Sequence, residues 1–386
     1  MRRIDFIIFF SIFLTVYGLI NFYVFVSGLS TLPADSGLRG WYFVLFWFLV
    51  AAFLLGRFLE RVTISWLSTS LIWIGSFWFA AMLYFVLMVA VIDLARLIDF
   101  LFPIFPDSIT SDPSRTKTLT MIAVTTACAL VVGTGHINAR FHRIQRLSFD
   151  LGVKMPHGTQ LTLAVASDIH LGTIICKSRF EKIVDEINAM NPDIILLPGD
   201  VVDEDLGPVI QRNLGETLRK MKARYGVFAV TGNHEYIGGV DAACRYLTEH
   251  GITMLRDAAF TIDGVATVVG REDLSYNRAS GRRRRELDQL LDGIDQSLPV
   301  ILMDHQPFRL HEAERNGIDL QLSGHTHHGQ LWPLNYLTRS IYEVSWGYLR
   351  KGLTHIYVSC GVGTWGPPVR TGNRPEILHI TLHGGS

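Results

Sequence analysis

Before residue 138 the sequence contains four apolar runs, each about as long as a bilayer is thick, and no other feature limits the possible folds so strongly. A helix needs about 20 mostly apolar residues to cross a hydrocarbon core roughly 30 Å thick. Residues 4–29, 41–59, 71–92 and 119–137 meet that requirement. Asn21 is the one strongly polar side chain between Asp5 and Leu29, and the second run carries no charge before Arg57. The third is closed by Asp93, and the fourth is diluted by threonine and glycine. The first run exceeds the ~7–15 residue core of a signal peptide. Residues 1–138 therefore read as an all-α, four-helix transmembrane domain rather than a buried soluble bundle. Charged residues make up 18% of the chain, against about 25% in soluble domains, and the deficit lies in this half.

Lysine and arginine near the helix ends set orientation. Arg2, Arg3, Arg57, Arg61, Arg140, Arg143, Arg146 and Lys154 fall on one side, and Arg39, Arg96, Arg115 and Lys117 on the other. The bias predicts a multi-pass protein of the inner or plasma membrane with both termini, and hence the C-terminal domain, in the cytoplasm. Trp41, Tyr42, Trp47, Trp66, Trp73 and Trp78 are expected as interfacial aromatics, whose rings are apolar with one polar tip. The first three runs hold no Asp, Glu, Lys or His well inside them. A proton or ion pathway needs such groups, so the pattern argues against transport.

Residues 139–386 read as a soluble domain. Strand patterns at 143–151, 161–166, 193–197, 226–230, 267–270 and 300–303 alternate with helical ones near 180–187, 214–221 and 240–250. That spacing implies βαβ units. Further strands at 318–322, 355–359 and 377–381 imply a second sheet packed on the first. The expected fold is α/β, two packed β-sheets flanked by helices. Formal net charge is zero, and Cys128, Cys176, Cys244 and Cys360 form no CxxC pair. Neither a disulfide framework nor a zinc knuckle is indicated.

Polar clusters close five of these strands. Asp168 and His170 follow the first, Gly199-Asp200 the second and Gly232-Asn233-His234-Glu235 the third, while His305 and Gly324-His325-Thr326-His327 follow two later ones. Each alone is weak, because a single DxH or GD after a strand is usually a turn or a cap. Five in order are much stronger, since ligand sites in α/β sheets form beyond the C-terminal strand ends. Imidazole and carboxylate donors without thiolate suit Mn²⁺, Fe or Zn²⁺ and argue against a structural zinc.

These five clusters resemble, in the same order, the motifs of the calcineurin-like metallophosphoesterases, over residue 144 to the C-terminus. Ser323–Gln330 and Asn373–Ile377 are similar to a bacterial branch that includes phosphodiesterases and hydrolases of a UDP-diacylglucosamine lipid precursor. The resemblance implies two divalent ions, Mn²⁺ first and Zn²⁺ or Fe as alternatives. Asp168, His170 and His327 would bind one, Asn233, His305 and His325 the other, and Asp200 would bridge them. His234 would be the catalytic proton donor or phosphate contact, with Asp200 the catalytic bridging carboxylate. Glu235 stands where many members have Asp, in the position that would orient His234. The implied reaction is hydrolysis of a phosphodiester or pyrophosphate bond by a metal-activated hydroxide. Embedding in the membrane favours a lipid-linked phosphoester substrate.

Several residues stay open. Asp203 could hydrogen-bond a ligand histidine or cap the next helix, and Asp304 could meet substrate or simply end a strand. His328 is expected to face solvent or substrate. Arg282 to Arg285 open an expected helix over 286–291, where cations oppose the helix dipole. The run could meet anionic lipid, bind a substrate diphosphate, or lie solvated beside Glu286 and Asp288. The same metal pair would serve a phosphomonoesterase. A nuclease needs a basic track interleaved with aromatics, which is missing, so nucleic acid is disfavoured. A catalytically silent membrane sensor or scaffold would be expected to have lost ligands, and this chain keeps them.

Overall fold

A computed structural model describes residues 3–262 and 264–384. Arg2, one of the charges in the orientation argument, lies outside the described residues. The chain divides into two compact units, Met1–His136 with Gly366–Val369, and Ile137–Trp365 with Arg370–Ser386.

Among the described residues four long helices, Arg3–Leu29, Leu38–Val62, Trp66–Leu101 and Pro113–Arg140, build the first unit, the last running past its boundary to Arg140, and all are long and apolar enough to cross a membrane. They outrun the apolar stretches because helical hydrogen bonding does not stop where the hydrocarbon does. The third has 36 residues, about 54 Å at 1.5 Å per residue. It starts where Ser65 caps it: the Ser65 hydroxyl accepts from the Ser68 N–H, and the Ser68 hydroxyl from the Ser65 N–H. A Cβ at Gly75 would overlap the Phe53 backbone, so glycine there lets the second and third helices approach closely. Trp41 and Trp66 are exposed, as interfacial aromatics should be. Trp78 is not. It is buried in the bundle and donates its indole N–H to Asn21 Oδ1 at 2.9 Å. The one strongly polar residue of the first run after Asp5 thus finds its partner inside the bundle, where lipid could supply none.

The second unit holds two six-stranded mixed sheets. The first comprises β1 (Arg143–Asp150), β2 (Gln160–Val165), β3 (Ile194–Pro198), β4 (Val227–Val230), β5 (Thr253–Met254) and β12 (Glu376–His383), in the order β1-β12-β2-β3-β4-β5. The second comprises β6 (Ala258–Ile262), β7 (Ala266–Gly270), β8 (Val300–Met303), β9 (Leu320–Ser323), β10 (Gly347–Lys351) and β11 (Thr354–Val358), in the order β10-β11-β9-β8-β7-β6. β2 to β5 run parallel, as do β7, β8, β9 and β11. Alternate side chains fill the space between the sheets: Leu163 and Val165, Ile194 and Leu196, Ile301 and Met303. Each fully buried aliphatic of this kind contributes about 1.5–3 kcal/mol relative to exposure. Outer faces are covered by helices, among them Lys177–Ala189, which buries Phe180, Ile183, Val184 and Ile187. The parallel strands of both sheets bring their C-terminal ends to one edge, where β2, β3, β4, β8 and β9 discharge into the polar clusters.

The helix expected over 214–221 shrinks to Gly215–Leu218, and that over 286–291 to Leu287–Leu290.

Candidate metal centre

Asp168, His170 and His327 bring one donor atom each within 4.8 Å of one another, and Asp200, His305 and His325 do the same. Asp200 belongs to both neighbourhoods: its Oδ2 lies 3.1 Å from His305 Nε2 and 3.9 Å from His170 Nε2. Asn233 Oδ1 completes the second group, 3.3 Å from His305 Nε2 and 2.7 Å from His325 Nδ1. In the first group His170 Nε2 and His327 Nε2 stand 3.0 Å apart, with Asp168 Oδ1 3.6 Å from the latter. The seven expected ligand positions are therefore gathered into one centre.

The loops that hold them are unusual. Asp168, His170, Asp200, His325 and His327 all adopt φ between 45° and 70°, a region costly for residues with a side chain. Such conformations persist only where surrounding bonds hold them. Asp168 N–H donates to Gly199 O, His170 N–H to Asp200 O, and His325 N–H to the Asp168 carboxylate. A Cβ at Gly232 would overlap the Asp200 carboxylate, so the β4 loop can lie against that carboxylate only as glycine.

The donor set fits divalent ions. His305 Nδ1 lies 2.8 Å from Pro198 O, to which it donates, so that Nε2 is the ring nitrogen facing Asp200. Asp203 faces His170 Nδ1 at 3.5 Å, which turns that ring the same way round. Burial, then the charge on His305, pushes His325 down to about 3, so its ring is neutral at pH 7. Burial disfavours charge on Asp200, yet His305 holds it well below the usual carboxylate range. Carboxylate and imidazole donors, with no thiolate, make a hard-to-borderline set.

His234 lies beside this centre. Its ring packs edge-on to His170, centroids 4.6 Å apart, and its Nδ1 is 3.2 Å from Asp203 Oδ1. Burial works against its charged form, but Asp203 and Asp200 raise its pKa to about 9. Asp203 thus serves His170 and His234 together. Glu235 does not orient His234. It is buried and accepts backbone N–H groups from Gly232, Val202 and Asp200 at 2.7, 2.9 and 3.1 Å, tying the β3 and β4 loops together.

His328 corrects another expectation. It is buried rather than directed at solvent or substrate, with Nδ1 2.9 Å from Ser345 Oγ and its ring 5.1 Å from that of Trp346. The Arg282–Arg285 run is not one surface either. Arg284 is buried and grips both Asp304 oxygens, at 2.8 and 2.9 Å, while Arg271 joins Asp304 at 3.2 Å. Asp304 therefore anchors the His305 loop from behind, and Arg282, Arg283 and Arg285 stay exposed.

Arg370 escaped the sequence reading. It is fully buried, and its Nη2 lies 3.1 Å from His327 Nδ1 and 2.7 Å from Gly363 O. Asn373 bonds both Arg370 Nη1 and His327 O, each at 2.5 Å. The Asn373–Ile377 stretch hinted at a role here, but no local pattern singles out Arg370.

Residues 161–329 match the calcineurin-like phosphoesterase family. A metallophosphoesterase from Aquifex aeolicus is 33% identical over 260 residues, which cover 66% of this chain and 98% of that protein. One from Helicobacter pylori is 34% identical over 58% of this chain and 60% of its own length. A transmembrane protein with metallophosphoesterase domain from Danio rerio is 34% identical over 59% of this chain and 55% of its own length. The present chain thus spans only about three-fifths of the latter two. The chain belongs to the calcineurin-like metallophosphoesterase family, metal-dependent hydrolases of phosphoester bonds. Its four apolar helices and its transmembrane relatives mark it as a membrane protein.

Proposed function

We propose that residues 1–138 anchor, and residues 139–386 form, a dinuclear-metal phosphoesterase that cleaves a phosphodiester or pyrophosphate bond in a lipid-linked substrate. The observation that carries the reading is the position of Asp200 between the two donor groups. Asp168, His170 and His327 would hold one ion, and Asn233, His305 and His325 the other. Asp200, whose Oδ2 faces both groups, would be shared between them. Mn²⁺ suits the donors best, with Zn²⁺ or Fe as alternatives. When bound, such a pair supplies Lewis-acid activation of water and neutralises phosphoryl charge.

The protein's own residues do the rest. His234, protonated at neutral pH under the influence of Asp203, carries a proton at the edge of the centre and can deliver it to the leaving oxygen. Asp203 holds that ring in register. Asn233 donates an oxygen without adding negative charge, so the centre remains electrophilic.

The lipid preference draws on the rim. The helix Leu334–Ile341 follows closely after the His325–His327 loop and exposes Leu334, Leu337 and Ile341 on one face. Trp365 is half exposed, 6.1 Å in ring centroids from His234. An apolar rim beside a polar centre suits a substrate with a phosphate head and a hydrocarbon tail. The arginine and lysine bias supports a catalytic domain on the cytoplasmic face of an inner or plasma membrane.

The test is a substrate panel with Mn²⁺, spanning phosphomonoesters, aryl diesters, nucleotide-sugar lipids and phospholipids. Turnover should be highest on a lipid-linked diester or pyrophosphate and absent in His325→Ala. Exclusive turnover of monoesters, or none on any member of the panel, would overturn the reading.

A further inference from the structure

A cavity of about 300 Å³ in the catalytic unit is lined by four arginines, Arg271, Arg283, Arg284 and Arg309, and by one carboxylate, Glu286. Its volume is at the lower end of the range for small-ligand sites. The arginines come from three separate loops. Arg271 directly follows β7, Arg309 follows β8, and Arg283 and Arg284 lie between the short helices Ser275–Ser280 and Leu287–Leu290. Sites in α/β sheets form beyond such strand ends, yet none of the seven expected metal ligands lines this one.

Four guanidinium groups around one small volume repel one another, and two carboxylates offset part of that charge. Asp304 takes Arg284 on both oxygens and Arg271 at 3.2 Å. Glu312 takes Arg271 at 2.8 Å and Arg309 at 3.3 Å. The pairing is incomplete at three points. Arg271 is 3% exposed, and its Nε is buried with no hydrogen-bond acceptor among the described residues. A buried donor without an acceptor is costly, because folding has removed its water. Arg283 is exposed, and no carboxylate among the described residues pairs with it. Arg309 is 64% exposed and gives Glu312 a single N–H.

We propose that this cavity binds a phosphate group, held by Arg271 Nε, Arg283 and Arg309, with Arg284 fixed in its wall by Asp304. A carboxylate is satisfied by one guanidinium fork. A phosphate presents three strong acceptor oxygens and can take donors from several loops at once, which is what this cavity offers. Arg282 and Arg285 belong to the same run but do not line it. The phosphate is carried by a soluble phosphoester or by a phospholipid headgroup, since both present the same oxygens.

The experiment is equilibrium dialysis of the full chain in detergent against radiolabelled inorganic phosphate, run with Mn²⁺ and again after chelation. Phosphate that survives chelation is the readout, because only the metal centre should lose its share. The chelated wild type should bind one phosphate per chain. Arg283→Ala and Arg309→Gln, both at exposed positions, should each weaken that binding about tenfold. Glu286→Gln removes the one lining carboxylate and should tighten binding about threefold, a gain that damage to the fold would not produce. Arg282→Ala should match the wild type. Dihexanoyl phosphatidic acid and glycerol phosphate, offered as competitors, tell a lipid headgroup from a soluble phosphoester by which displaces the label at lower concentration. No phosphate held after chelation, or equal weakening in Arg282→Ala and Arg283→Ala, would overturn the proposal.

Discussion

The Asp203 carboxylate stands 3.2 Å from Nδ1 of His234. The same oxygen is 3.5 Å from Nδ1 of His170, so one side chain sets the orientation of a proposed ligand and of the proposed acid. Burial alone would raise the Asp203 pKa, but bonds from His170 and His234 hold it far below its ordinary value.

Replacing Asp203 by Asn removes the charge and keeps the shape. Activity should fall about 10–100-fold, the usual effect of losing a partner behind a ligand. The loss should shrink with aryl diesters whose leaving groups need no proton, because His234 would then matter less. Steady-state rates across a leaving-group series, beside metal content, check this.

Asp200→Asn should cut the metal bound per chain as well as the rate, since a neutral amide is a weaker ligand than the carboxylate that faces both donor groups. Inductively coupled plasma mass spectrometry of the purified variant against wild type measures the loss. Chelation of the wild type should abolish activity, and Mn²⁺ should restore it.

Arg284 and its neighbours separate a buried role from a surface one. Arg284→Ala leaves Asp304 with Arg271 alone, and breaking a buried pair costs about 3–5 kcal/mol. Arg282→Ala and Arg283→Ala should stay within about 0.5 kcal/mol of wild type, as exposed substitutions do. Denaturant midpoints of the three variants give the comparison. Equal losses would mean that the run acts as one surface.

Arg370→Met should destabilise the domain, because the carbonyls of Gly361 and Gly363 lose a charged donor. Hydrogen bonds to charged groups are worth about 1.5–3 kcal/mol each. The His327 ring would also lose its neighbour, so metal affinity should drop together with the thermal midpoint. Calorimetry and a metal titration on the same sample read both.

Gly232→Ala places a methyl group against the Asp200 carboxylate. The chain should fold with a displaced β4 loop and little activity, while circular dichroism stays near that of wild type.

Much of this centre was legible because strand ends are local. A short apolar run followed by Asp168 and His170, or by Gly199 and Asp200, announces both the strand and what its end presents. The order of five such ends identified the family. The four membrane helices were equally plain, since bilayer thickness sets a length that composition must match. Their ends ran further than the apolar runs because a helix, once formed, continues until a cap or a proline stops it.

What local pattern could not supply is partnership across the fold. Glu235 and Asp203 are both carboxylates near His234 in the motif order, and only the packing of the β3 loop on the β4 loop decided which one faces the imidazole. Arg284 and Arg283 are neighbours in an unbroken basic run, yet one is buried against Asp304 and the other is solvated. Arg370 reaches His327 across 43 residues with no spacing rule to announce it. The candidate ligand residues, the strands that carry them and the lengths of the membrane helices follow from short-range patterns and were written in the sequence. Orientation and buried charge depend on which surfaces the two sheets press together, and only the tertiary structure determines that.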